Sequence, residues 1–238
     1  MTFSREELKR YSRQILVPEI ALAGQGRLKS SSLLVIGAGG LGSPVLNYLV
    51  AAGVGRVGIS EFDTLELHNL QRQTLYSSEQ VGRPKLEAVL ERLATVNPEI
   101  KLEGFPKLTP DNAGEMFSSF DLIVDASDNF GTRYLVNDTC VQLEKPWVWG
   151  AAQGLEGMVS VFDSKLSLRD AFPNPPENQD NCDTLGVLGP LLAVIGGLMA
   201  SEAIKHLVGL ETLYGKLWTF DALSSQVRLL KLKTSRTL

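Results

Sequence analysis

A glycine-rich segment is the first feature of this sequence whose residue types and spacing could support chemistry. Gly37, Gly39 and Gly42 form a G-x-G-x-x-G pattern between an apolar run and a segment with helical spacing. The first glycine permits a tight turn, the second lets the backbone approach a phosphate, and the third packs helix on strand. Glu61 lies nineteen residues after Gly42, where a carboxylate can accept hydrogen bonds from ribose hydroxyls. These residues predict a nucleotide site without saying which nucleotide it binds.

Polar side chains that would suit a polyphosphate follow the second apolar run. Five of them fall within 23 residues: Asp63, Asn69, Arg72, Gln73 and Lys85. Lys85 stands near the start of a predicted helix, where the helix dipole disfavours a cation. An anion held between Lys85, the helix end and Arg72 would remove this conflict. Taken singly, each side chain is equally well a solvated surface residue, but beside the glycine loop the set favours a polyphosphate site.

A third polar segment follows the buried run Leu122-Ile123-Val124. It reads Asp125-Ala126-Ser127-Asp128-Asn129, and it falls at the carboxyl edge of a predicted parallel sheet, where open α/β folds bind ligands. Asp128 is a candidate ligand for a magnesium ion that bridges phosphates. The alternative is that Asp128 caps the next helix.

Apolar periodicity predicts the elements that must position these groups. Buried parallel strands are expected at 33–36, 57–62, 122–124 and 147–150. A short helix and a polar loop are expected over 5–29, and helices at 41–52, 77–96 and 134–143. The alternation of strand and helix predicts an α/β fold with a doubly wound, mainly parallel, Rossmann-like sheet.

The C-terminal half departs from this alternation. A strand at 157–162, a helix at 191–207 and a hairpin over 216–233 indicate antiparallel strands that extend the same sheet. We therefore predict one domain over residues 1–238. Its nucleotide-binding half covers about 30–150, and its antiparallel extension covers about 151–238.

Composition excludes several classes of protein. With 23 Lys and Arg against 27 Asp and Glu, the net charge of −4 does not suit a general nucleic-acid binder. Two cysteines are too few for a disulfide scaffold or a four-cysteine zinc site. The first residues are polar, and the apolar stretch 186–200 falls short of the roughly 18 apolar residues of a membrane span. We therefore expect a cytoplasmic protein that binds neither nucleic acid nor membrane.

The motifs occur together in an order that is typical of one family. They are Arg10-Tyr11-Ser12-Arg13-Gln14-Ile15, Gly37-Ala38-Gly39-Gly40-Leu41-Gly42, Asn69-Leu70-Gln71-Arg72-Gln73, Arg83-Pro84-Lys85, Asp128-Asn129 and Cys182-Asp183-Thr184-Leu185-Gly186-Val187-Leu188-Gly189-Pro190. From about residue 5 to 232, the chain resembles the ThiF/MoeB/HesA adenylyltransferases, the bacterial relatives of ubiquitin-activating enzymes. Each motif alone is weak, whereas the set is specific.

The resemblance implies ATP and magnesium as cofactors and a ubiquitin-like sulfur-carrier protein as partner. The Gly-Gly carboxylate of the carrier would attack the α-phosphate, giving an acyl-adenylate and pyrophosphate for thiamine or molybdenum-cofactor synthesis. It also implies a homodimer and a sulfurtransferase or desulfurase that supplies sulfur. A carboxylate is already ionised at neutral pH, so no general base is required. We therefore give His68 no catalytic role and interpret His206 as a solvated helix residue.

The resemblance also implies a role for individual residues. Gly37, Gly39, Gly40 and Gly42 would cradle the nucleotide, and Glu61, where relatives usually have Asp, would hold the ribose. The residues expected to contact phosphates are Asn69, Arg72, Gln73 and Lys85, with Arg72 and Lys85 as leading catalytic candidates. Asp128 would hold magnesium. Arg13 would either reach the partner subunit's phosphates or be a plain surface arginine.

The cysteines of this chain differ from those of the family, and the role of Cys182 is open. Relatives carry two Cys-x-x-Cys pairs for structural zinc, but the first pair would fall at 167–170 and the second after 233, and neither is present. Zinc in such sites is bound by thiolates, so we expect no zinc. Cys182 is either a partner in carrier chemistry or an inert residue, and Cys140 is interpreted as core packing.

Two other classes of function are open at this point. One is an NAD-dependent oxidoreductase, although no residue is an obvious acid or base for hydride transfer. The other is a non-catalytic carrier-binding scaffold, against which the intact arginine, lysine and aspartate set argues. Trp218, Phe220, Leu229 and Leu230 either form an apolar carrier-docking surface or belong to the core.

Overall fold

A single eight-stranded sheet forms the centre of the protein, whose computed structural model describes residues 2–174 and 186–233. The strands are β1 Ser32–Ile36, β2 Arg56–Ser60, β3 Lys101–Phe105, β4 Leu122–Asp125, β5 Trp147–Gln153, β6 Glu156–Phe162, β7 Lys216–Asp221 and β8 Gln226–Lys231. Their order is β3-β2-β1-β4-β5-β6-β7-β8. Strands β1 to β5 pair in parallel, and β5 to β8 pair antiparallel. The predicted fold class, a mainly parallel sheet with an antiparallel extension, is confirmed.

Helices cover both faces of the sheet. They are α1 Arg5–Arg10, α2 Ser12–Ile15, α3 Ala21–Ser30, α4 Gly42–Ala52, α5 Lys85–Val96, α6 Pro110–Ser118, α7 Phe130–Gln142, α8 Leu168–Ala171 and α9 Gly189–Val208. Two short 3-10 helices span Leu67–Asn69 and Ser78–Gln80. One core layer packs α3, α4, α5 and α9 against the sheet, and the other packs α6, α7 and α8.

Strand β1 shows why the parallel strands appear in the sequence as continuous apolar runs. Leu33 and Val35 belong to the first core layer, whereas Leu34 and Ile36 belong to the second. Successive side chains of a strand point to opposite faces, so a strand covered on both sides needs an apolar residue at every position. This burial fixes β1 at the centre of the sheet, with β2 on one side and β4 on the other.

Helix α9 is long and apolar enough to cross a membrane by length and composition alone. Half of its most apolar window is buried within the protein. Seven of its apolar side chains join the first core layer: Leu191, Leu192, Ile195, Met199, Ala200, Ala203 and Val208. Its composition is therefore that of a helix that packs on the sheet and on α4.

Several predicted elements are corrected by the structure. The predicted loop before β1 contains α3, and the helix predicted over 77–96 begins only at Lys85, with Pro84 as its N-cap. Strand β3 and helix α6 were not predicted. Strand β3 lies at the sheet edge and reads Lys-Leu-Glu-Gly-Phe, so it lacks a buried apolar run. Helix α6 does carry a start signal, because Thr109 caps it and Pro110 occupies its first turn.

Candidate active site

A cleft of about 330 Å³ opens at the carboxyl ends of β1, β2 and β4. The connection after β1, through α4, and the connection after β4, through α7, run over opposite faces of the sheet here, which is where doubly wound folds bind ligands. Nine of the predicted site residues line this cleft: Gly37, Gly39, Gly40, Glu61, Asp63, Arg72, Gln73, Lys85 and Asp128. Segments separated by almost one hundred residues in the chain therefore meet at one sheet edge.

The glycine loop needs glycine at two positions for different physical reasons. Gly37 has a φ of +92°, a conformation that side-chain-bearing residues rarely adopt. A Cβ at Gly42 would lie 2.2 Å from the carbonyl oxygen of Gly37. Gly42 is therefore not among the residues that line the cleft; it lets the first turn of α4 pack directly under the loop. This is the packing role of the third glycine, and a direct contact of Gly42 with a nucleotide is not supported.

Glu61 connects the glycine loop to the segment after β2. Its Oε2 accepts a hydrogen bond from the backbone N–H of Ala38 at 2.9 Å. Its Oε1 accepts from the N–H groups of Phe62 and Asp63 at 2.7 and 2.9 Å. The Glu61 side chain is buried at the edge of the cleft. Since each carboxylate oxygen can accept two hydrogen bonds, Oε2 keeps capacity for a ligand hydroxyl.

Tyr76 also supports the glycine loop and was missed by the sequence analysis. Its hydroxyl donates to the carbonyl oxygen of Ala38 at 2.9 Å. Burial, reinforced by the carboxylates of Glu61 and Asp63, raises the pKa of Tyr76 well above its usual value. The side chain is therefore a permanent neutral donor. A single tyrosine outside any motif gave no signal of this role.

Lys85 and Asp63 form an ion pair inside the cleft. The Lys85 Nζ lies 3.3 Å from Asp63 Oδ2, and the lysine side chain is buried while the aspartate is half exposed. The backbone N–H of Lys85 also donates to the carbonyl oxygen of Asp63 at 2.8 Å. Asp63 thus supplies the anion that was postulated beside the start of α5. The position of Lys85 on the helix is consequently not in itself a sign of a bound phosphate.

The segment after the 3-10 helix Leu67–Asn69 presents two polar side chains to the cleft. Asn69 is buried and does not line the cleft; its Oδ1 accepts from the N–H of Glu66 at 3.0 Å. Its carbonyl oxygen accepts from the N–H groups of Arg72 and Gln73. Asn69 therefore shapes the turn that places Arg72 and Gln73 in the cleft, and its predicted contact with phosphates stays a prediction.

The alternative interpretation of Asp128 as a helix cap is wrong. Asn129 is the N-cap of α7, because its Oδ1 accepts from the N–H of Thr132 at 2.9 Å. The exposed Asp128 lines the cleft and keeps its carboxylate available to a ligand. Asp125, by contrast, is fully buried, and its Oδ1 accepts from both the N–H and the hydroxyl of Ser127. Burial raises the pKa of Asp125.

A second cleft, also of about 330 Å³, adjoins the first. Its walls are mostly apolar and include Tyr134, Trp149, Met158, Leu168 and Phe172. Three residues line both clefts: Asp128, Arg133 and Ala152. An extended ligand in the second cleft would therefore reach the edge of the first one beside Asp128.

The remaining predicted residues lie away from the cleft or outside the described residues. Arg13 is exposed on α2 and does not line the cleft of its own chain. Cys182 lies outside the described residues. Cys140 is fully buried in the second core layer, as predicted, and burial raises its thiol pKa well above the usual value. His206 was expected to be solvated but is half-buried, and burial lowers its pKa. His68 is exposed.

The apolar residues of the C-terminal hairpin divide between core and surface. Trp218 and Phe220 stack with ring centroids 5.9 Å apart and pack against the first core layer. Leu229 and Leu230 are 54% and 50% exposed on β8. The hairpin therefore offers exposed leucines, while the two aromatic rings serve mainly the core.

Comparison with known proteins identifies the family. The ThiF family profile matches residues 11–238, and the chain belongs to this family. It is 48% identical over 244 residues to a sulfur carrier protein adenylyltransferase of Thermus thermophilus, covering 98% of this chain and 90% of the relative. It is 44% identical to the probable adenylyltransferase/sulfurtransferase MoeZ of Mycobacterium tuberculosis, covering 97% of this chain and 61% of that protein.

Other relatives and solved structures agree with this assignment. The adenylyltransferase and sulfurtransferase MOCS3 of Aedes aegypti is 46% identical, with 98% of this chain and 55% of the relative covered. The chain thus spans little more than half of the longer relatives. The crystal structure of E. coli MccB with MccA-N7isoASN superposes with a TM-score of 0.85 at 21% identity, covering 98% of this chain and 74% of MccB. At this identity the likeness concerns the fold.

Proposed function

We propose that this protein uses ATP to adenylylate the C-terminal Gly-Gly carboxylate of a ubiquitin-like sulfur-carrier protein. The observation that carries the proposal is the cleft at the sheet edge, where Arg72, Lys85 and Asp128 line the same cavity as a glycine-rich loop of the kind that binds phosphates. The 48% identity to a named sulfur carrier protein adenylyltransferase supports the same reaction. The sequence-level alternatives, an NAD-dependent oxidoreductase and a non-catalytic scaffold, gain no support from the comparisons.

The reaction suits a site without a general base. A carboxylate oxygen of the carrier forms a bond to the α-phosphorus of ATP, and the bond from that phosphorus to the bridging oxygen breaks. The electron pair leaves with pyrophosphate, so no proton has to be removed from the nucleophile. Arg72 and Lys85 would neutralise the charge that accumulates on the phosphates and orient the leaving group. Positioning and charge neutralisation are therefore what this chain has to supply.

Asp128 is the residue that would hold magnesium. Mg²⁺ commonly binds proteins through one or two carboxylates and completes its shell with phosphates and water. Asp128 offers one exposed carboxylate on the cleft, and within the described ranges no three His, Cys, Asp or Glu side chains gather into a metal cage. This donor set fits an ion shared with a nucleotide. When bound, the ion would lower the charge repulsion between the phosphates and an incoming carboxylate.

The second cleft suits the C-terminal tail of the carrier. Its walls are mostly apolar, and it joins the first cleft at Asp128. The exposed leucines of β8 offer an apolar docking surface for the globular part of the carrier. A sulfurtransferase or desulfurase would then supply sulfur that displaces AMP. The pathway served is thiamine or molybdenum-cofactor synthesis, in a cytoplasmic setting and without structural zinc.

A homodimer would complete the site. Arg13 is exposed and lies outside the cleft of its own chain. Exposed apolar side chains occur near it, including Leu16 on the same segment and Tyr48 on α4. Pairing of this surface with a second copy would bury the apolar groups and bring Arg13 towards the partner's phosphates.

ATP–pyrophosphate exchange tests the proposed function. The protein is incubated with ATP, magnesium and radiolabelled pyrophosphate, and with purified carriers of the thiamine and molybdopterin types. Exchange with one carrier establishes the reaction and identifies the pathway, and exchange with both indicates a shared activator. A carrier that lacks its last glycine is the matched control. Tight ATP binding without exchange for any carrier would contradict the proposal.

A further inference from the structure

Arg133 is a buried cation that forms no ion pair with a carboxylate of the described residues. Its side chain is only 7% exposed, its Nη2 donates to the carbonyl oxygen of Ser127 at 3.1 Å, and its Nε has no hydrogen-bond partner within 2–174 and 186–233. More exposed arginines do have such partners, since Arg56, Arg83 and Arg169 each pair with a carboxylate at 2.6 or 2.7 Å. Buried charges in proteins are normally paired. The carboxyl group of Asp125 feels the charge of Arg133, but it forms no ion pair with Arg133 among the described residues. The guanidinium therefore keeps an unused donor, Nε, for a further anion.

The guanidinium group is held in place by its neighbours. It lies 5.2 Å from the ring centroid of Phe130 and 5.9 Å from that of Trp149. These aromatic contacts and the hydrogen bond to Ser127 restrict its orientation, so little entropy remains to be lost on binding. Arg133 is thus a preorganised group rather than a mobile surface charge.

The position of Arg133 indicates from which side the anion arrives. Arg133 lines both clefts, together with Asp128 and Ala152. On the nucleotide side, Arg72 and Lys85 already provide cations. On the other side, Arg133 is the one cation among the described residues that line the second cleft. A carboxylate that enters through the apolar cleft therefore meets Arg133 at the boundary.

We infer that Arg133 binds the C-terminal carboxylate of the substrate and makes the enzyme selective for a free chain end. This inference rests on the proposed function, because it assigns a residue to the acceptor of the same reaction. The planar fork of an arginine matches a carboxylate and discriminates against a neutral carboxamide. One oxygen held by Arg133 leaves the other to form the bond to the α-phosphorus. Neutralisation by Arg133 also lowers the repulsion between two anionic reactants.

The test compares two forms of the carrier that supports exchange: the native protein and a semisynthetic form ending in glycinamide. Binding of each is measured by calorimetry with α,β-methylene-ATP and magnesium present, so that no reaction occurs. We expect the wild type to bind the free acid about 10- to 100-fold more tightly, as for a charge-assisted hydrogen bond. In Arg133→Gln this preference should fall to about twofold or less, and Arg133→Lys should retain an intermediate preference.

Two controls keep this result interpretable. Arg56→Gln removes another arginine that stacks on an aromatic ring, that of Phe120, at the amino end of β2, and it should leave the preference unchanged. Unchanged affinity for α,β-methylene-ATP shows that each variant is folded, and Arg133→Lys carries the test if Arg133→Gln does not fold. If the Arg133 variants keep the full preference for the free acid over the glycinamide, the inference is overturned. It is also overturned if the variants lose only their affinity for α,β-methylene-ATP, because Arg133 would then bind the nucleotide. Absence of exchange in the wild type would instead refute the proposed function.

Discussion

Arg72 and Lys85 reach the same cleft by different local means. Arg72 follows a 3-10 helix whose turn is closed by hydrogen bonds to the Asn69 carbonyl, so its side chain projects from a loop. Lys85 begins α5 and is fixed by its ion pair with Asp63. The Nη1 of Arg72 donates to the carbonyl oxygen of His68 at 3.1 Å, so both cations are held at the cleft by contacts within the protein. A site whose task is charge neutralisation benefits from both.

Replacement of Arg72 tests the proposed charge neutralisation directly. Arg72→Ala should lower ATP–pyrophosphate exchange by about 100-fold or more, the loss typical of a group that stabilises transition-state charge. The midpoint of urea unfolding should stay the same, because the side chain belongs to a loop at the cleft. Arg92→Ala, which removes an exposed arginine of α5, is the matched control. Full exchange activity in Arg72→Ala would remove this residue from the site.

Motif residues could be placed from the sequence because each belongs to a connection that leaves the carboxyl end of a parallel strand. Gly39, Lys85 and Asp128 follow three different strands, and parallel strands bring their carboxyl ends to one edge. Arg133 and Lys107 could not be placed in this way. Lys107 lies 4.3 Å over the Phe62 ring and lines the cleft, but the strand before it has no buried run. Long-range order of the sheet, not local pattern, decides such contacts.

At the scale of elements, the glycine loop needs one glycine for close packing and another for the approach of the nucleotide, and substitutions can separate these two needs. A Cβ at Gly42 would collide with the Gly37 carbonyl at 2.2 Å, whereas one at Gly39 would meet Gln73 at an ordinary 3.6 Å. Gly42→Ala should therefore destabilise the protein by about 1–3 kcal/mol or more. Gly39→Ala should fold normally and weaken ATP binding about tenfold, because the added methyl group narrows the phosphate approach.

Urea unfolding and calorimetric ATP titration measure the two effects side by side. Each variant serves as the control of the other, since both add one methyl group to the same loop. Equal destabilisation by the two substitutions would contradict the division between a packing glycine and a binding glycine. Normal ATP affinity in Gly39→Ala would show that the nucleotide does not approach the loop at this point.

The edge of the parallel sheet carries a pH-dependent contribution to stability. Hydrogen bonds from Arg56 and Lys101 lower the pKa of Glu103 from 4.5 to about 2. A depressed carboxylate pKa stabilises the folded state above the unfolded pKa, and this contribution is lost as pH falls through the folded pKa. Glu103→Gln should cost about 1 kcal/mol at pH 7, in view of the partial exposure of the pair.

Urea unfolding from pH 7 down to pH 2.5 checks this expectation. The difference between wild type and Glu103→Gln should be constant above about pH 5 and shrink between pH 4.5 and 2. Glu91→Gln, which disrupts a more exposed pair with Arg83, is the control and should show a smaller difference. If the difference in the free energy of unfolding between wild type and Glu103→Gln grows as the pH falls, the expected direction of the Glu103 pKa shift is contradicted.

Helix α3 escaped prediction because its stability depends on tertiary contacts. Helix α3 reads Ala-Leu-Ala-Gly-Gln-Gly-Arg-Leu-Lys-Ser, with two glycines and a weak apolar face. It is stabilised by packing of Leu28 in the core and by the Gln25 amide, which donates to the Ala52 carbonyl at 2.9 Å. Such tertiary contacts override a low helix propensity. Strands buried on both faces, by contrast, are visible in the sequence because their burial dictates every residue.

At the scale of the whole molecule, the change from parallel to antiparallel strands organises the two clefts. The nucleotide cleft lies at the carboxyl ends of β1, β2 and β4, and the second cleft is lined by β5 and β6, where the antiparallel extension begins. Two substrates can therefore approach from different sides and meet at Asp128 and Arg133. The parallel part alone would provide a nucleotide site without a route for a protein tail.

The proposed homodimer can be tested by complementation between two inactive variants. If Arg13 acts on the partner's cleft, a heterodimer of Arg13→Ala and Arg72→Ala subunits contains one intact site: the cleft of the first subunit with the Arg13 of the second. Co-expression with two different affinity tags yields this heterodimer. It should recover about half of the wild-type exchange activity, as expected for one working site of two.

A heterodimer of Arg72→Ala and Asp128→Ala is the control and should stay inactive, because both defects lie in the clefts themselves. Absence of recovery in the first pair would place Arg13 in its own chain's site, and full activity of Arg13→Ala by itself would place Arg13 outside the reaction.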